Sequence, residues 1–400
     1  MQQEQEDKNL SEKKVKRDLA IFSLSSFLND LGAEMIYPIW PLFLTAVLGA
    51  NMTILGLIDG ISNSIVSISQ AASGYLSDRI KKRKIFIWTG YLCGFISRVG
   101  YAFAKSWQVI IPLRILDRAG KIRDAPRDAI IADEAKKHER GGHFGILKMM
   151  DALGGVFGII ACIILFKYLG YKNLFLLAAV PSLISVLLVL LFIKEGEHSK
   201  NGKKSEWLSF REMSRDLKMF LGISALFALA SFSYSFLLVY AQRFGFSQAQ
   251  IPVLYLIFVL VASIFSIPFG RLADRIGRKP VLMISFLLWG IVCWIFLVLK
   301  NYPSAIILSF IIYGMHRGAI EPVQRTFISE LSPAEKRASS LGLLQLTVGM
   351  CALPSSLLTG LLWDRVGMFF PLTISLGITI GAILLLTYVK ETESQLPVKA

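Results

Sequence analysis

Runs of about 20 apolar residues, separated by short polar breaks, recur along this chain from residue 18 to residue 389. A helix rises 1.5 Å per residue, so about 20 residues cross roughly 30 Å of hydrocarbon. Composition leaves these runs no other home. Hydrophobic residues make up 54% of the 400, and mean hydropathy is +0.57. A soluble chain of this length has no core large enough to bury so much apolar surface. The sequence therefore predicts an all-α polytopic membrane protein.

Twelve spans can be counted, at about 18–47, 52–78, 85–104, 107–132, 142–167, 172–193, 219–242, 248–273, 280–299, 303–326, 338–363 and 368–389. The longest hydrophilic run, 194–218, separates the sixth from the seventh. The expected organisation is a polar tail (1–17), a six-helix bundle (18–193), a central loop (194–218), a second six-helix bundle (219–389) and a short tail (390–400). The tail 1–17 lacks the short apolar core and small-residue cleavage site of a signal peptide, so the first span is expected to stay in the membrane.

The net charge of +15 follows the same layout. With the N-terminus inside, roughly 27 Lys and Arg fall in cytoplasmic segments, about 6 in external loops and about 10 in spans. This is the positive-inside pattern, with both termini cytoplasmic, and it removes the need for a nucleic-acid partner. Cys93, Cys162, Cys293 and Cys351 sit singly in apolar runs, and the four histidines are equally scattered. No metal-ligand, nucleotide-binding or nucleophile motif occurs, so no metal, cofactor or enzymatic activity is expected.

The halves repeat. Gly74–Lys84 reads GYLSDRIKKRK and Gly270–Lys279 reads GRLADRIGRK; Gly74 and Gly270 lie 196 positions apart. Each copy closes the second span of its half. A second match, between Pro126-Arg127 in span four and the Arg325 region of span ten, lies at nearly the same offset. Duplicated halves with a site at their interface are a common plan for secondary transporters.

On these residues the chain resembles the major facilitator superfamily, whose cytoplasmic loop signature is G-x-L-x-D-R-x-G-R-K. Span four also resembles a bacterial branch of permeases with D-R-x-G-K-G-x-R…P-R-D. Here it reads Asp117-Arg118-Ala119-Gly120-Lys121-Ile122-Arg123…Pro126-Arg127-Asp128, one residue short between Lys121 and Arg123. One residue is about 100° of helical phase. The resemblance implies two pseudo-symmetric six-helix bundles, 12 helices in all, and adjacency of spans one and four along a central cavity. It implies a latch that stabilises one access state, built from Gly74, Asp78 and Arg79 in one copy and Gly270, Asp274, Arg275, Gly277 and Arg278 in the other. Lys81 stands where the first copy would carry the motif's glycine, so that turn is expected to be looser.

Charge inside the spans marks the candidate site, because each such side chain costs roughly 2.5 to 3.5 kcal/mol at the bilayer centre. Span four carries eight ionisable groups between Arg114 and Asp128. Counting from residue 18 puts Asn29 and Asp30 roughly 17 Å deep, with Glu34 a turn further out. Counting from residue 107 puts Arg114 roughly 10 Å deep, and Asp117 and Arg118 about 15 to 17 Å. The charges from Arg123 to Asp128 are then expected at a wet cytoplasmic end. Asp59 and Asp151 add acids, and Arg98 and Lys148 add bases, so charges at this level nearly balance. Such balance suits a proton relay, with Asp30 or Glu34 taking the proton and Arg114 or Arg118 competing for the carboxylate.

The second half is quieter: His316, Arg317, Glu321 and Arg325 on span ten, and an aromatic set of Phe227, Phe232, Tyr234, Phe236 and Tyr240 on span seven. His316 is a candidate for titration. Gly154, Gly155 and Gly158 in span five lack the following proline of typical drug:proton antiporters. The expected function is secondary transport of a small organic solute across a bacterial inner membrane by a monomer, coupled to protons and leaning to efflux. Uptake of a nutrient or iron-chelating molecule is the alternative within transport. A membrane sensor or embedded enzyme on the same scaffold is the alternative of another class.

Overall fold

A computed structural model describes residues 2–80, 82–135, 139–193, 195, 213–333 and 336–391, without the side chains of 2–12, 78, 134 and 338. Fourteen α-helices, α1–α14, account for it. The first span is α1 (Gln2–Glu34), the three-residue α2 (Trp40–Leu42) and a π-helical turn (Phe43–Val47); the second is α3 (Met52–Ile80) and the third α4 (Lys84–Phe103). The fourth is α5 (Trp107–Ala119), a 3-10 turn (Gly120–Arg123) and α6 (Asp124–Glu134). One continuous element, α7 (Arg140–Phe192), holds spans five and six, with its backbone broken at Gly170, where φ is 65°. The seventh span is α8 (Arg215–Ala230) and α9 (Tyr234–Arg243). Then come α10 (Ile251–Ile276), α11 (Arg278–Val298), α12 (Pro303–Glu330), α13 (Arg337–Arg365) and α14 (Phe370–Leu386). This order accommodates all twelve spans. By length and composition alone, seven helices among the described residues are long and apolar enough to cross a membrane.

Helix starts follow from local chemistry. Prolines 252, 303 and 371 stand in the first turns of α10, α12 and α14, where a missing N–H costs nothing. Ser214 and Ser233 accept from backbone N–H groups at the starts of α8 and α9. The cap at Ser233 falls inside the seventh span and divides it into two helices.

Two compact units emerge, residues 1–38 with 68–202 and residues 39–67 with 203–400. In the first, α1 packs along α7, and α4 packs on α5 and α7. Its apolar core includes Phe22, Ile87, Tyr91, Leu147 and Val189. In the second, α12 packs between α10 and α11, and Phe227 stacks on Phe286 at 3.8 Å. Phe227, Phe232, Phe236 and Tyr240 of span seven are buried in this core; Tyr234 is half-buried.

Each unit closes its loop motif the same way. In the second unit, Arg278 reaches Asp274 at 2.5 Å and Glu330 at 3.0 Å. Glu391 accepts from the Lys279 N–H at 2.5 Å, and Lys279 Nζ donates to the carbonyls of Thr387 and Val389. In the first, Arg83 reaches Asp133 at 2.6 Å, Glu195 accepts from the Arg83 N–H at 2.6 Å, and Lys84 Nζ donates to the Leu190 carbonyl. Glu195 and Glu391 are themselves repeats, each following a lysine at the end of its half. Of the arginines expected from the motif, Arg278 makes the ion pairs of the second unit, and Arg79 and Arg275 make none among the described residues. In both copies the arginine that pairs stands just before the motif's last lysine, at the start of the next helix. Gly277 adopts φ 98° there; its counterpart Lys81 and the Asp78 side chain lie outside the described residues. Arg278→Ala is expected to remove about 1 kcal/mol from the closed latch, shifting the balance of access states about fivefold. Thiol labelling from the cytoplasmic side, with and without the substitution, reads that shift.

Candidate functional site

The site grows from a change of winding in span four. Gly120–Arg123 form a 3-10 turn between α5 and α6. Four residues wound at about three per turn rotate the chain roughly 80° further than the same four in an α-helix. That is most of the phase a one-residue deficit removes. The turn is possible because α4 offers Gly90 opposite it: a Cβ on Gly90 would lie 2.5 Å from the Gly120 carbonyl oxygen, and one on Gly120 would lie 2.6 Å from that of Gly90. Backbone therefore meets backbone, and the side chains of the turn are thrown towards α1 and α4.

Three clusters result. In the first, Asp117 serves two guanidinium groups, Arg114 at 3.4 Å and Arg118 at 3.7 Å. Both lie over the ring of Tyr37, at 5.5 and 4.7 Å from its centroid, and Arg118 donates to the Tyr37 hydroxyl at 2.7 Å. In the second, Arg123 lies 3.8 Å from Asp30, 3.6 Å from Asp124 and over the ring of Tyr91. Asp124 also faces Lys121 at 3.8 Å and accepts from Gln70 at 2.9 Å. In the third, Arg127 donates to Ser26 at 2.6 Å, pairs with Asp128 at 3.0 Å and faces Asp151 at 3.8 Å. Ser26 donates to Asp151, and Lys148 stands 3.6 Å from it.

Behind these lies Arg98 of α4, 2% exposed. It donates to the Asn29 carbonyl at 3.1 Å, to Asn29 Oδ1 at 3.3 Å, to the Ala178 carbonyl at 3.3 Å and to Ser182. A guanidinium held by neutral oxygens ties spans one, three and six at one point. Its fork supplies several directed donors, which a lysine does not.

Of the predicted residues, Arg114, Asp117 and Arg118 are together as expected from their spacing. Asp30 meets Arg123 instead of Arg114 or Arg118, so Asp30 lies about a turn nearer the α6 end of span four than axial counting put it. Counts along two helices share no origin when each helix tilts. Glu34 packs against Gly155 and Gly158 of α7. Asp151 joins the third cluster. Lys121 pairs with Asp124 and not Asp117, because the 3-10 turn rotates it away. Arg123 and Arg127, expected in water, are buried. Asp59 belongs to the second unit. His316 is fully buried there among Phe227, Trp289 and Tyr313; its Nδ1 donates to the Ser285 carbonyl at 2.8 Å. Sequence reasoning missed Tyr37, Tyr91, Ser26 and Gln70. Only Arg98 and Asn29 carried a readable signal, as lone polar groups within apolar runs.

Chemically, each of the three clusters places a carboxylate between two bases, an arrangement in which a proton gained by the acid would free a cation to turn to another partner.

Comparison with known proteins gives a consistent picture. The family model described as Major Facilitator Superfamily matches residues 22–255 and 219–400. An MFS-type transporter of Methanocaldococcus jannaschii is 36% identical over 364 residues, covering 89% of this chain and 90% of the relative. Multidrug resistance protein MdtG of Salmonella paratyphi A is 26% identical over 330 residues, covering 78% of this chain and 80% of MdtG. Among solved structures, the nucleoside transporter NupG superposes with a TM-score of 0.78 at 14% identity, covering 94% of this chain and 100% of NupG.

Proposed function

The chain belongs to the major facilitator superfamily of membrane transporters, and from that premise we propose that it exports a small organic solute in exchange for protons. The observation that carries this reading is the sharing of Asp117 by Arg114 and Arg118 over the ring of Tyr37. Ionisable groups inside a span are expensive and persist where they line a pathway or relay protons. A carboxylate with two cations is a two-position switch: protonation of the acid releases an arginine, and a substrate group can then take its place. Asp30, Glu34, Asp59, Asp151 and His316 complete the candidate set for coupling and substrate contact.

Export is favoured by similarity to MdtG, a multidrug resistance protein. The two six-helix halves would rock about the latch loops, with Arg278 and Arg83 fastening the cytoplasmic side. The protein would work as a monomer in the cytoplasmic membrane with both termini inside, as the distribution of Lys and Arg predicts.

The test has two stages. A ligand-stabilisation screen of purified protein finds the substrate class without assuming direction, since ligand at 100 times its Kd stabilises by about 2.7 kcal/mol. Flux of that ligand in proteoliposomes, with and without a pH gradient, then tests coupling. Gradient-driven flux is expected in the wild type, with reduced gradient dependence in Asp30→Asn or Glu34→Gln. Full gradient dependence in both variants would take the proton away from span one, and ligand binding without flux would make the protein a sensor.

A further inference from the structure

Asp59 differs from six other acids within the spans. It is 5% exposed, and among the described residues its carboxylate has one hydrogen bond, accepted from the Ser233 hydroxyl at 2.6 Å, and no ion pair. Asp30, Asp117, Asp124, Asp128, Asp151 and Glu321 each have an arginine or lysine within 4.0 Å. Ser233 sits at the break in span seven, where it also accepts from the Ser235 N–H and caps α9. With that lone pair engaged, its hydroxyl proton points at Asp59.

Among the described residues, no Lys or Arg forms an ion pair with Asp59. Residues 52–67 pack against α13 within the second unit, along a seam where side chains have been removed to bring backbones together. A Cβ on Gly56 would collide with the Ser356 carbonyl, and one on Gly60 would lie 2.7 Å from Leu353 Cα. Ser64 donates to the Gly349 carbonyl at 2.9 Å. At the outer end Asp364 accepts from the N–H groups of Met52 and Thr53, at 3.2 and 2.8 Å, and from the Thr53 hydroxyl. The facing stretch 349–360 has Cys351 as its one titratable side chain, the stretch 230–236 has Tyr234, and the turn 40–47 has none. Asp59 lies between Gly56 and Gly60, in the middle of the closest contact.

We propose that Asp59 is a proton-binding site that locks this seam: protonated, it lets residues 52–67 and α13 pack as observed, and loss of the proton opens them. The inference rests on the reading of a proton-coupled transporter and adds a second proton site to it, outside the clusters of span four. The physics is that of an unpaired buried charge. A neutral carboxyl with a hydroxyl neighbour is tolerated in an apolar helix seam, whereas a carboxylate without a cation draws in water or moves towards it. Separating the seam is the route to water that the glycine packing leaves open, because Gly56 and Gly60 meet Ser356 and Leu353 through backbone, with the edge of the Phe236 ring beside Gly56.

Two readouts test it. Infrared difference spectra of the purified protein in lipid, recorded between acid and alkaline pH, are expected to contain the carbonyl stretch of a protonated carboxyl. That band is lost in Asp59→Asn, kept in Asp364→Asn, and moved to higher frequency in Ser233→Ala, where the carbonyl loses a donor. A band unchanged in both Asp59→Asn and Ser233→Ala overturns the site; if Asp59→Asn does not fold, Ser233→Ala decides alone. For the lock, Ser67→Cys in a background without the four native cysteines is labelled with a maleimide across the same pH range. Corrected for thiolate fraction, the rate is expected to rise about tenfold on deprotonation, and to lose that rise when Asp59→Asn is added. A rise that survives Asp59→Asn overturns the lock. Gradient-driven flux separates this from the parent reading: flux that keeps its full gradient dependence in Asp59→Asn contradicts the inference alone, and wild-type flux indifferent to the gradient contradicts the coupling.

Discussion

Asp117→Asn is expected to abolish gradient-driven transport and to lower the thermal midpoint of the purified protein by about 10 °C. The carboxylate is the shared counter-charge of Arg114 and Arg118, and all three are largely buried. Removing one partner of a buried pair costs about 3–5 kcal/mol, because the charge left behind has lost its compensation. Here two are left. A midpoint shift of about 2–4 °C per kcal/mol gives the stated fall. A double substitution supplies the sign check. If the penalty comes from uncompensated charge, Arg114→Met added to Asp117→Asn recovers part of the stability, and the two changes are strongly non-additive. Additive losses would mean that Asp117 acts through packing. Transport is expected to stay lost in the double variant, since the switch is gone even where the fold is repaired.

Gly90→Leu is expected to prevent accumulation of folded protein, whereas Gly94→Ala one turn along the same helix is nearly silent. At Gly90 a Cβ would sit 2.5 Å from a backbone oxygen and 2.7 Å from Arg123 Cβ; at Gly94 the nearest atom, Asn29 Oδ1, is 3.5 Å away. Overpacking costs about 1–3 kcal/mol, occasionally more. At Gly90 it also pushes Arg123 away from Asp30 and from the ring of Tyr91, so two further interactions go with it. Expression yield and size-exclusion profile measure both variants. Equal tolerance of the two would mean that the 3-10 turn is not pinned by α4.

These two positions also mark what could be read in advance. The spans and the loop motif were legible, because hydrocarbon thickness and the period of a repeat impose themselves on sequence directly. The trio of Arg114, Asp117 and Arg118 was legible from helical spacing. Its partner on span one was not. Tyr37 is an unremarkable aromatic in sequence and matters only because two guanidinium groups stack on it. Asp30 meeting Arg123 depended on tilt and on a change of winding, and neither leaves a periodic trace. In the latch, the motif pointed to Arg79, Arg275 and Arg278; of these Arg278 makes the contacts, and in the first copy Arg83 does, since the residue that opens the next helix faces the acids. The repeated Glu195 and Glu391 were readable at the same offset as the loop motif. They were obscured by lying in polar segments where charge is expected.

The charged face of span four is expected to be reached from one side of the membrane or the other, with the proton gradient setting which. Ala119→Cys, beside Arg118, in a background without native cysteines, measures this without a known substrate. Right-side-out and inverted vesicles are labelled with a membrane-impermeant maleimide, with and without an imposed pH gradient. Labelling from both sides, in a ratio that changes with the gradient, is the predicted result. Labelling from one side only, at a rate indifferent to the gradient, would contradict it.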